Sequence, residues 1–148
     1  MASIQVVVFK LDNEFYGVDI TKVREIGPYI ESVKVPNTPE FVEGIINFRG
    51  DIIPIINLRK VFMLEDSKAV KGTRIIIVNA GNRQLGIIVD EASEVLYINN
   101  DNIESSAKIV TETKKRLISG IGKEQGRIIM LLDLSELVNE NSDDMEAV

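Results

Sequence analysis

Cysteine and histidine are both absent from the 148-residue sequence. Without cysteine the chain has no disulfide bond and no thiolate metal site. Without histidine it lacks the commonest general base and the commonest metal ligand. The sequence also has no Gly-x-x-x-x-Gly-Lys-Ser/Thr phosphate loop and no Gly-x-Ser-x-Gly nucleophile elbow. We therefore expect no catalytic residue, no metal and no cofactor; an active site built on aspartate is the alternative.

Basic and aromatic side chains are too few for a nucleic-acid-binding surface. Acidic residues outnumber basic ones by 23 to 17, the formal net charge is −6, and aromatic residues make up only 5%. Single-strand binding needs a basic groove with aromatic platforms, so protein partners are favoured. No apolar run approaches the ~18 residues of a membrane span, and no secretory signal is evident. We expect a cytoplasmic protein that does not insert into a membrane.

The chain is organised around the segment from Gly44 to Leu58. Two β-branched apolar runs, 45–46 and 52–56, flank a turn at 47–51. β-Branched side chains suit a pleated, half-buried surface, and the Gly-Asp pair supplies the backbone freedom of a turn. The segment therefore predicts a β-hairpin with Arg49 at its turn.

This hairpin recurs 76 residues later in the sequence, and the strands at the start of the chain recur 69 residues later. The matched residues include Gly50 with Gly126, Asn57 with Asp133, Gly17 with Gly86, and Glu25 with Glu94. A period of about 70 residues is too long for a solenoid repeat and fits two small tandem barrels. Chance similarity among apolar β segments is the alternative.

The repeat divides the chain into two predicted lobes, residues 1–63 and 73–138. A linker at 64–72 joins them, and an acidic tail at 139–148 follows. Each lobe is marginal alone on surface-to-volume grounds, so we expect the two to share an interface. The tail is polar and charged and is expected to be disordered and dispensable.

Within the lobes the pattern predicts strands, turns and a few short helices. Thr21 to Ile26 is predicted as a short helix, and Pro54 is expected at an edge or a bulge because it cannot donate to a ladder. Residues 100–116 are predicted to be a solvated loop, with a phosphate or acidic-partner contact at its basic cluster as the alternative. The predicted strands are 5–11, 14–19, 73–79, 84–90, 94–99, 117–122 and 127–132. The predicted helical turns are 58–62 and 134–138, and the basic cluster is Lys114, Lys115 and Arg116.

The runs from Tyr16 to Ile26 and from Val35 to Arg59 resemble the CheW family of bacterial chemotaxis coupling proteins. The segments Gly86-Ile-Ile-Val-Asp90 and Gly120-Ile-Gly122 are similar to the family's second half. The resemblance covers roughly residues 4 to 138. Its core, Phe-Val-Glu-Gly-Ile-Ile-Asn-x-Arg-Gly-x-Ile-Ile-Pro, is long and specific. Phe48 stands where the family commonly has leucine.

The resemblance implies a mainly β fold of two tandem SH3-like five-stranded β-barrels with short helices. It also implies a non-catalytic adaptor that bridges chemoreceptors (methyl-accepting chemotaxis proteins) to the histidine kinase CheA. The implied partners are the regulatory domain of CheA and the cytoplasmic signalling tip of the receptors, so the protein would be recruited to receptor arrays. A detached CheA regulatory domain and a small barrel that binds nucleic acid are the alternatives.

The resemblance further implies which residues meet the partners. Glu25 is implied to pair with Arg49, which would hold a short helix against the hairpin through a bidentate charge-assisted bond; an exposed pair is the alternative. The implied receptor-binding groove between the barrels contains Val23, Glu25, Gly44, Arg49, Gly86, Ala92 and Val95. For its apolar members a plain core role is the alternative, and for its glycines a turn. The implied kinase-binding residues are Tyr29, Ile30 and Val33.

Overall fold

The computed structural model describes residues 2–105, 117–135 and 137. The predicted basic cluster at 114–116 and the acidic tail lie outside these residues. The strands are β1 (Ser3–Leu11), β2 (Glu14–Asp19), β3 (Val23–Pro28), β4 (Val42–Phe48), β5 (Asp51–Asn57), β6 (Arg74–Ala80), β7 (Arg83–Val89), β8 (Glu91–Asn99), β9 (Ile103–Ser105), β10 (Ile118–Glu124) and β11 (Arg127–Leu132). One α-helix, α1 (Leu58–Val61), and two single 3₁₀ turns, Ile20–Lys22 and Asn100–Asn102, complete the described elements.

The strands form two sheets, and the architecture is that of two SH3-like barrels. One sheet has six strands in the order β8-β1-β2-β11-β10-β9, and the other has five in the order β3-β6-β7-β5-β4. The mainly β fold predicted above is confirmed. The sixth strand is β9, a three-residue piece that pairs with β10 next to the gap in the described residues.

The two barrels do not coincide with the predicted lobes 1–63 and 73–138. β1 and β2 pair with strands of the second half, and β6 and β7 pair with strands of the first half. Each barrel therefore takes its first hairpin from the opposite half of the chain. The sequence repeat shows which strands are alike, but it does not show which copy they pair with, so the predicted boundary was wrong.

The internal repeat itself is visible in the pairing. Exchanging the two halves converts the order β3-β6-β7-β5-β4 into β8-β1-β2-β11-β10. Both sheets contain a parallel pair at the corresponding place, Gly17 with Leu131 and Gly86 with Ile55. Gly17 and Gly86 are 69 positions apart in the sequence, and Ile55 and Leu131 are 76 positions apart, which are the two offsets of the sequence repeat. Chance similarity is thereby excluded for these segments.

Among the described residues, most of the buried apolar side chains lie between the barrels and not inside them. Strands such as β1 and β6 are apolar at consecutive positions because alternate residues face a barrel interior and the inter-barrel layer. The interior of the six-stranded barrel contains Val6, Val8, Leu96, Ile98, Ile129 and Leu131. The interior of the five-stranded barrel contains Ile46, Ile53, Ile55, Ile75 and Ile77. The inter-barrel cluster contains Val7, Phe9, Leu11, Tyr16, Val18, Val42, Ile56, Leu58, Val61, Ile76, Val78, Ala80, Leu85, Ile87, Val89, Leu117, Leu132, Leu134 and Leu137.

The predicted hairpins and the helical turn at 58–62 are confirmed, but two local predictions were wrong. The segment Thr21–Ile26 is not a helix, because only Ile20–Lys22 forms a 3₁₀ turn before β3 pairs with β6. Pro54 lies in β5, an inner strand. Proline has no backbone N–H to donate, and none is needed at this position. The cross-strand partner of Pro54 is Ile45, whose backbone N–H and C=O bond to Val33, and the parallel pairing of β5 with β7 begins only at Ile55. The predicted helix at 134–138 falls only partly within the described residues.

Candidate partner-binding surface

The predicted ion pair of Glu25 and Arg49 forms at the surface of the five-stranded barrel. β3 and β4 are the two outer strands of that sheet; Glu25 lies in β3, and Arg49 lies in the turn between β4 and β5. Arg49 Nη2 is 3.0 Å from Glu25 Oε1, and the two side chains are 66% and 32% exposed. The pair therefore links two sheet edges in contact with water. The pair is therefore an exposed ion pair, which was the alternative given above. It is not a bidentate bond that holds a helix, because Glu25 lies in a strand.

An apolar cavity of about 120 Å³ lies beside this ion pair. Glu25 and Ile30 both line it, so the structure brings together one residue predicted for the receptor and one predicted for the kinase. The remaining lining residues are Gly27, Pro28, Ile46, Phe48, Ile75 and Ile77. The two predicted surfaces therefore adjoin at this cavity.

The three predicted kinase-binding residues are all exposed. Tyr29, Ile30 and Val33 lie in the segment between β3 and β4, and Val33 has 69% of its surface accessible. The backbone of Val33 pairs with Ile45 of β4, which fixes the segment against the barrel. Exposed apolar side chains on a fixed backbone are available to a partner without a change of fold.

The predicted groove residues Gly44 and Gly86 are buried and do not face an open groove. A Cβ atom on Gly44 would lie 2.4 Å from the carbonyl oxygen of Val33, and one on Gly86 would lie 2.5 Å from Cδ1 of Ile55. Both glycines lie within strands, so neither serves a turn. Gly86 permits close packing against Ile55 inside the five-stranded barrel, and Gly44 permits the close approach of the Val33 backbone to β4, so both have a packing role.

The other predicted groove residues flank the inter-barrel cluster. Val23 and Ala92 are partly buried and pack against it from β3 and β8, which are corresponding outer strands of the two sheets. Val95 is 45% exposed, and its counterpart in the repeat, Ile26, is 42% exposed. One apolar strand edge from each barrel thus borders the seam between the barrels.

A second ion pair repeats the first one in the other barrel. Arg127 donates a short hydrogen bond to Glu94, the residue that matches Glu25 in the repeat. The guanidinium carbon of Arg127 lies 4.7 Å from the ring centroid of Phe15, as that of Arg49 lies 4.8 Å from Phe48. The sequence repeat matches Glu94 with Glu25 and therefore indicated one member of this pair. It did not indicate Arg127 as the other member.

Arg59 and Asp90 form an ion pair that sequence reasoning missed. Arg59 Nε donates to Asp90 Oδ1 at 3.0 Å, and Nη2 donates to Oδ2 at 2.6 Å. The backbone N–H of Asp12, in the β1–β2 turn, donates to the same carboxylate at 2.7 Å. Because Arg59 belongs to α1 of one barrel, the Asp12 N–H to a turn of the other, and Asp90 to the bend that connects β7 with β8, this network joins the two barrels. Arg59 lies in the resemblance motif, but nothing in the sequence connects it to Asp90.

Opposing effects act on the pKa of Asp90. Burial would raise it, but the hydrogen bonds from Arg59 and from the Asp12 N–H, together with the positive charge of Arg59, hold the pKa below its usual value. The hydrogen bond to Asp90 in turn raises the pKa of Arg59 against the opposing effect of burial. The pair is therefore charged throughout the physiological pH range.

Neither a metal cluster nor a membrane span is found within the described ranges. No group of three or more candidate ligand side chains converges there. None of the described helices is long and apolar enough to cross a membrane.

Comparison with known proteins gives matches over nearly the whole chain. The model of the CheW-like domain matches residues 5–142. The chain is 36% identical to the chemotaxis protein CheW of Klebsiella aerogenes over 132 residues, which cover 89% of this chain and 80% of that protein. It is 34% identical to the chemotaxis protein CheW of Treponema pallidum, over 90% of this chain and 81% of that one. The crystal structure of the scaffolding protein TtCheW from Thermoanaerobacter tengcongensis superimposes with a TM-score of 0.85 at 39% identity and covers 92% of both chains.

Proposed function

Because the chain belongs to the CheW-like domain family, we propose that it is a non-catalytic adaptor coupling chemoreceptors to the histidine kinase CheA in bacterial chemotaxis. The observation that supports this most is the placement of exposed apolar residues on a fixed backbone. Ile26, Ile30, Val33 and Val95 are all exposed on or beside the outer strands β3, β4 and β8. On a chain of net charge −6, such residues favour protein partners over nucleic acid.

The proposed receptor surface is the seam between the barrels at β3 and β8. Val23, Ala92 and Val95 supply its apolar side, and Glu25 and Arg49 its charged end. A helical hairpin of the receptor signalling tip would lay its apolar face along this seam. Gly44 and Gly86, which the resemblance placed in the groove, would support this surface through packing, Gly44 against the Val33 backbone and Gly86 against Ile55.

The proposed kinase surface is formed by Tyr29, Ile30 and Val33, which would meet the regulatory domain of CheA. The apolar cavity beside Ile30 would accept a side chain from that domain. Each interface is expected to be small and transient, with an affinity near micromolar, or roughly −8 kcal/mol. Clustering in receptor arrays would strengthen both by raising the effective concentration. The protein would thus act in the cytoplasm, beside the membrane receptors.

Two charge substitutions and a matched control test this division of surfaces. Val33→Asp should weaken binding of the CheA regulatory domain at least about tenfold and leave receptor binding unchanged, and Val95→Asp should do the reverse. Val70→Asp is the control, because Val70 is as exposed as Val33, 69%, but lies in the linker. Binding of purified partners by titration calorimetry measures all three variants. Equal losses in the three variants, or none in Val33→Asp and Val95→Asp, would contradict the assignment.

A further inference from the structure

The aromatic ring of Phe48 is contacted by two arginines. Phe48 is the last residue of β4 and is partly buried. The guanidinium carbon of Arg24 lies 5.1 Å from the ring centroid, and that of Arg49 lies 4.8 Å from it. Both distances are within the ~6 Å over which a cation is attracted to an aromatic face. One ring therefore holds charged groups from β3 and from the β4–β5 turn.

Each of these arginines also meets an oxygen acceptor. Arg24 Nη1 lies 3.2 Å from Asp51 Oδ2 and donates to Gln84 Oε1 at 2.5 Å. Arg49 Nη2 lies 3.0 Å from Glu25 Oε1. Arg24 is thus held at several points and is 29% exposed, whereas Arg49 is 66% exposed at the tip of a turn. Arg49 depends more on the Phe48 ring for its orientation.

An exposed arginine that contacts a single carboxylate samples many rotamers, because the attraction is weak in water and side-chain entropy opposes it. A ring beneath the guanidinium restricts those rotamers and leaves the outer N–H donors accessible. Guanidinium has five N–H donors, and Glu25 is reached through Nη2. A second carboxylate can therefore bind to the same guanidinium from the solvent side.

We propose that Phe48 is a positioning residue of the receptor surface: it fixes the Arg49 guanidinium beside Glu25 so that Arg49 binds a carboxylate of the receptor. This rests on the proposed function, which assigns the receptor to this surface. Leucine or methionine at position 48 would still fill the wall of the cavity, but neither has an aromatic face to hold the guanidinium. Tyrosine would retain that face.

The positioning can be observed without any partner. The full chain is compared with Phe48→Leu, Phe48→Met and Phe48→Tyr by NMR of the arginine side-chain N–H groups. In the parent chain and in Phe48→Tyr, the Arg49 Nε–Hε resonance should be shifted by the ring. In Phe48→Leu and Phe48→Met it should move to the position of a free arginine while the backbone resonances of β4 and β5 persist. An unmoved resonance in either folded variant would overturn the proposal, and the methionine variant decides the matter if the leucine variant does not fold.

The link to the receptor is tested by titration with a receptor signalling tip. Phe48→Leu should raise Kd about tenfold at low salt and less at high salt, whereas Phe48→Tyr should stay within about twofold. Phe48→Leu should add no further loss to Arg49→Ala, because both remove the same contact. If Phe48→Leu weakens receptor binding further in the Arg49→Ala variant, then Phe48 does not act through Arg49 and the proposal is overturned. If the parent chain binds no receptor, the proposed function fails, and the NMR comparison still decides whether Phe48 positions Arg49.

Discussion

The carboxylate of Asp90 receives three hydrogen bonds from two separate parts of the chain. Two come from Arg59 and one from the backbone of Asp12. The Arg59 side chain is only 14% exposed, so it has exchanged much of its hydration for these bonds. Removing the carboxylate would leave a mostly buried guanidinium without its main partner, which is more harmful than losing a surface pair.

Replacing Asp90 with asparagine should therefore lower the free energy of unfolding by about 1–3 kcal/mol at pH 7. Because the pKa of Asp90 is lowered in the folded state, its stabilisation is fully present above the unfolded pKa of about 3.9. The stabilisation is lost as the pH falls through the folded pKa, so the difference between variant and parent should shrink below about pH 4. Urea unfolding at several pH values measures this, with exposed Asp101→Asn as the control. A difference that is constant down to pH 3 would contradict it.

The sequence predicted one of these ion pairs and gave no sign of another. Glu25 and Arg49 were paired because a family motif contains both, and the structure pairs them, although in contact with water. Arg59 and Asp90 lie 31 positions apart, one in α1 and the other in the bend between β7 and β8. Which of the many acids and bases meet depends on how the hairpins are exchanged, and no local pattern encodes that.

At the scale of elements, β4 depends on a close backbone approach. Ile45 of β4 exchanges both backbone hydrogen bonds with Val33, and Gly44 beside it leaves room for the Val33 carbonyl. A side chain at position 44 would push this carbonyl away and disturb the segment that carries the proposed kinase surface. Gly27 of β3 offers a matched comparison, because a Cβ atom there would meet no atom within 4 Å.

Gly44→Ala should consequently destabilise the protein by about 1–3 kcal/mol, the usual range for overpacking. Gly27→Ala should be neutral or slightly stabilising, because alanine loses less chain entropy on folding. Thermal and urea unfolding of the two variants measure the difference. If Gly44→Ala is as stable as Gly27→Ala, the close approach at Val33 does not restrict position 44.

The hairpins were predictable, because β-branched runs and turn residues are local signals. The segment Thr21–Ile26 was not, since its apolar spacing also suits a helix and only pairing with β6 makes it a strand. The exchange of first hairpins was also beyond the sequence pattern. Similar strands with similar apolar faces can pair within a half or between halves, and no local pattern in the sequence distinguishes the two arrangements.

At the scale of the whole molecule, the inter-barrel cluster dominates the apolar interior. It is larger than either barrel core and draws on strands of both sheets. Neither barrel can lose this layer and keep its own small core, so we expect the two to unfold together.

Ile76→Val tests this, since Ile76 is fully buried in the inter-barrel cluster. The substitution should lower stability by about 0.5–1.5 kcal/mol. The slowest-exchanging amides of β1 and of β6, in different sheets, should lose the same free energy of opening in native-state hydrogen exchange. A loss confined to the five-stranded sheet would show that the barrels unfold separately.

The exchanged hairpins make this chain equivalent to a strand-swapped homodimer whose two subunits have been fused end to end. A cut in the linker at 64–72 would therefore not release two domains. Each fragment would keep its first hairpin inserted in the sheet of the other, so the fragments would remain associated and would complement each other as the halves of a split protein do. A half-length polypeptide carrying one copy of the repeat could build both barrels by pairing with an identical copy. Gene duplication and fusion would then have converted a bimolecular assembly into a unimolecular one, with the linker removing the dependence on concentration.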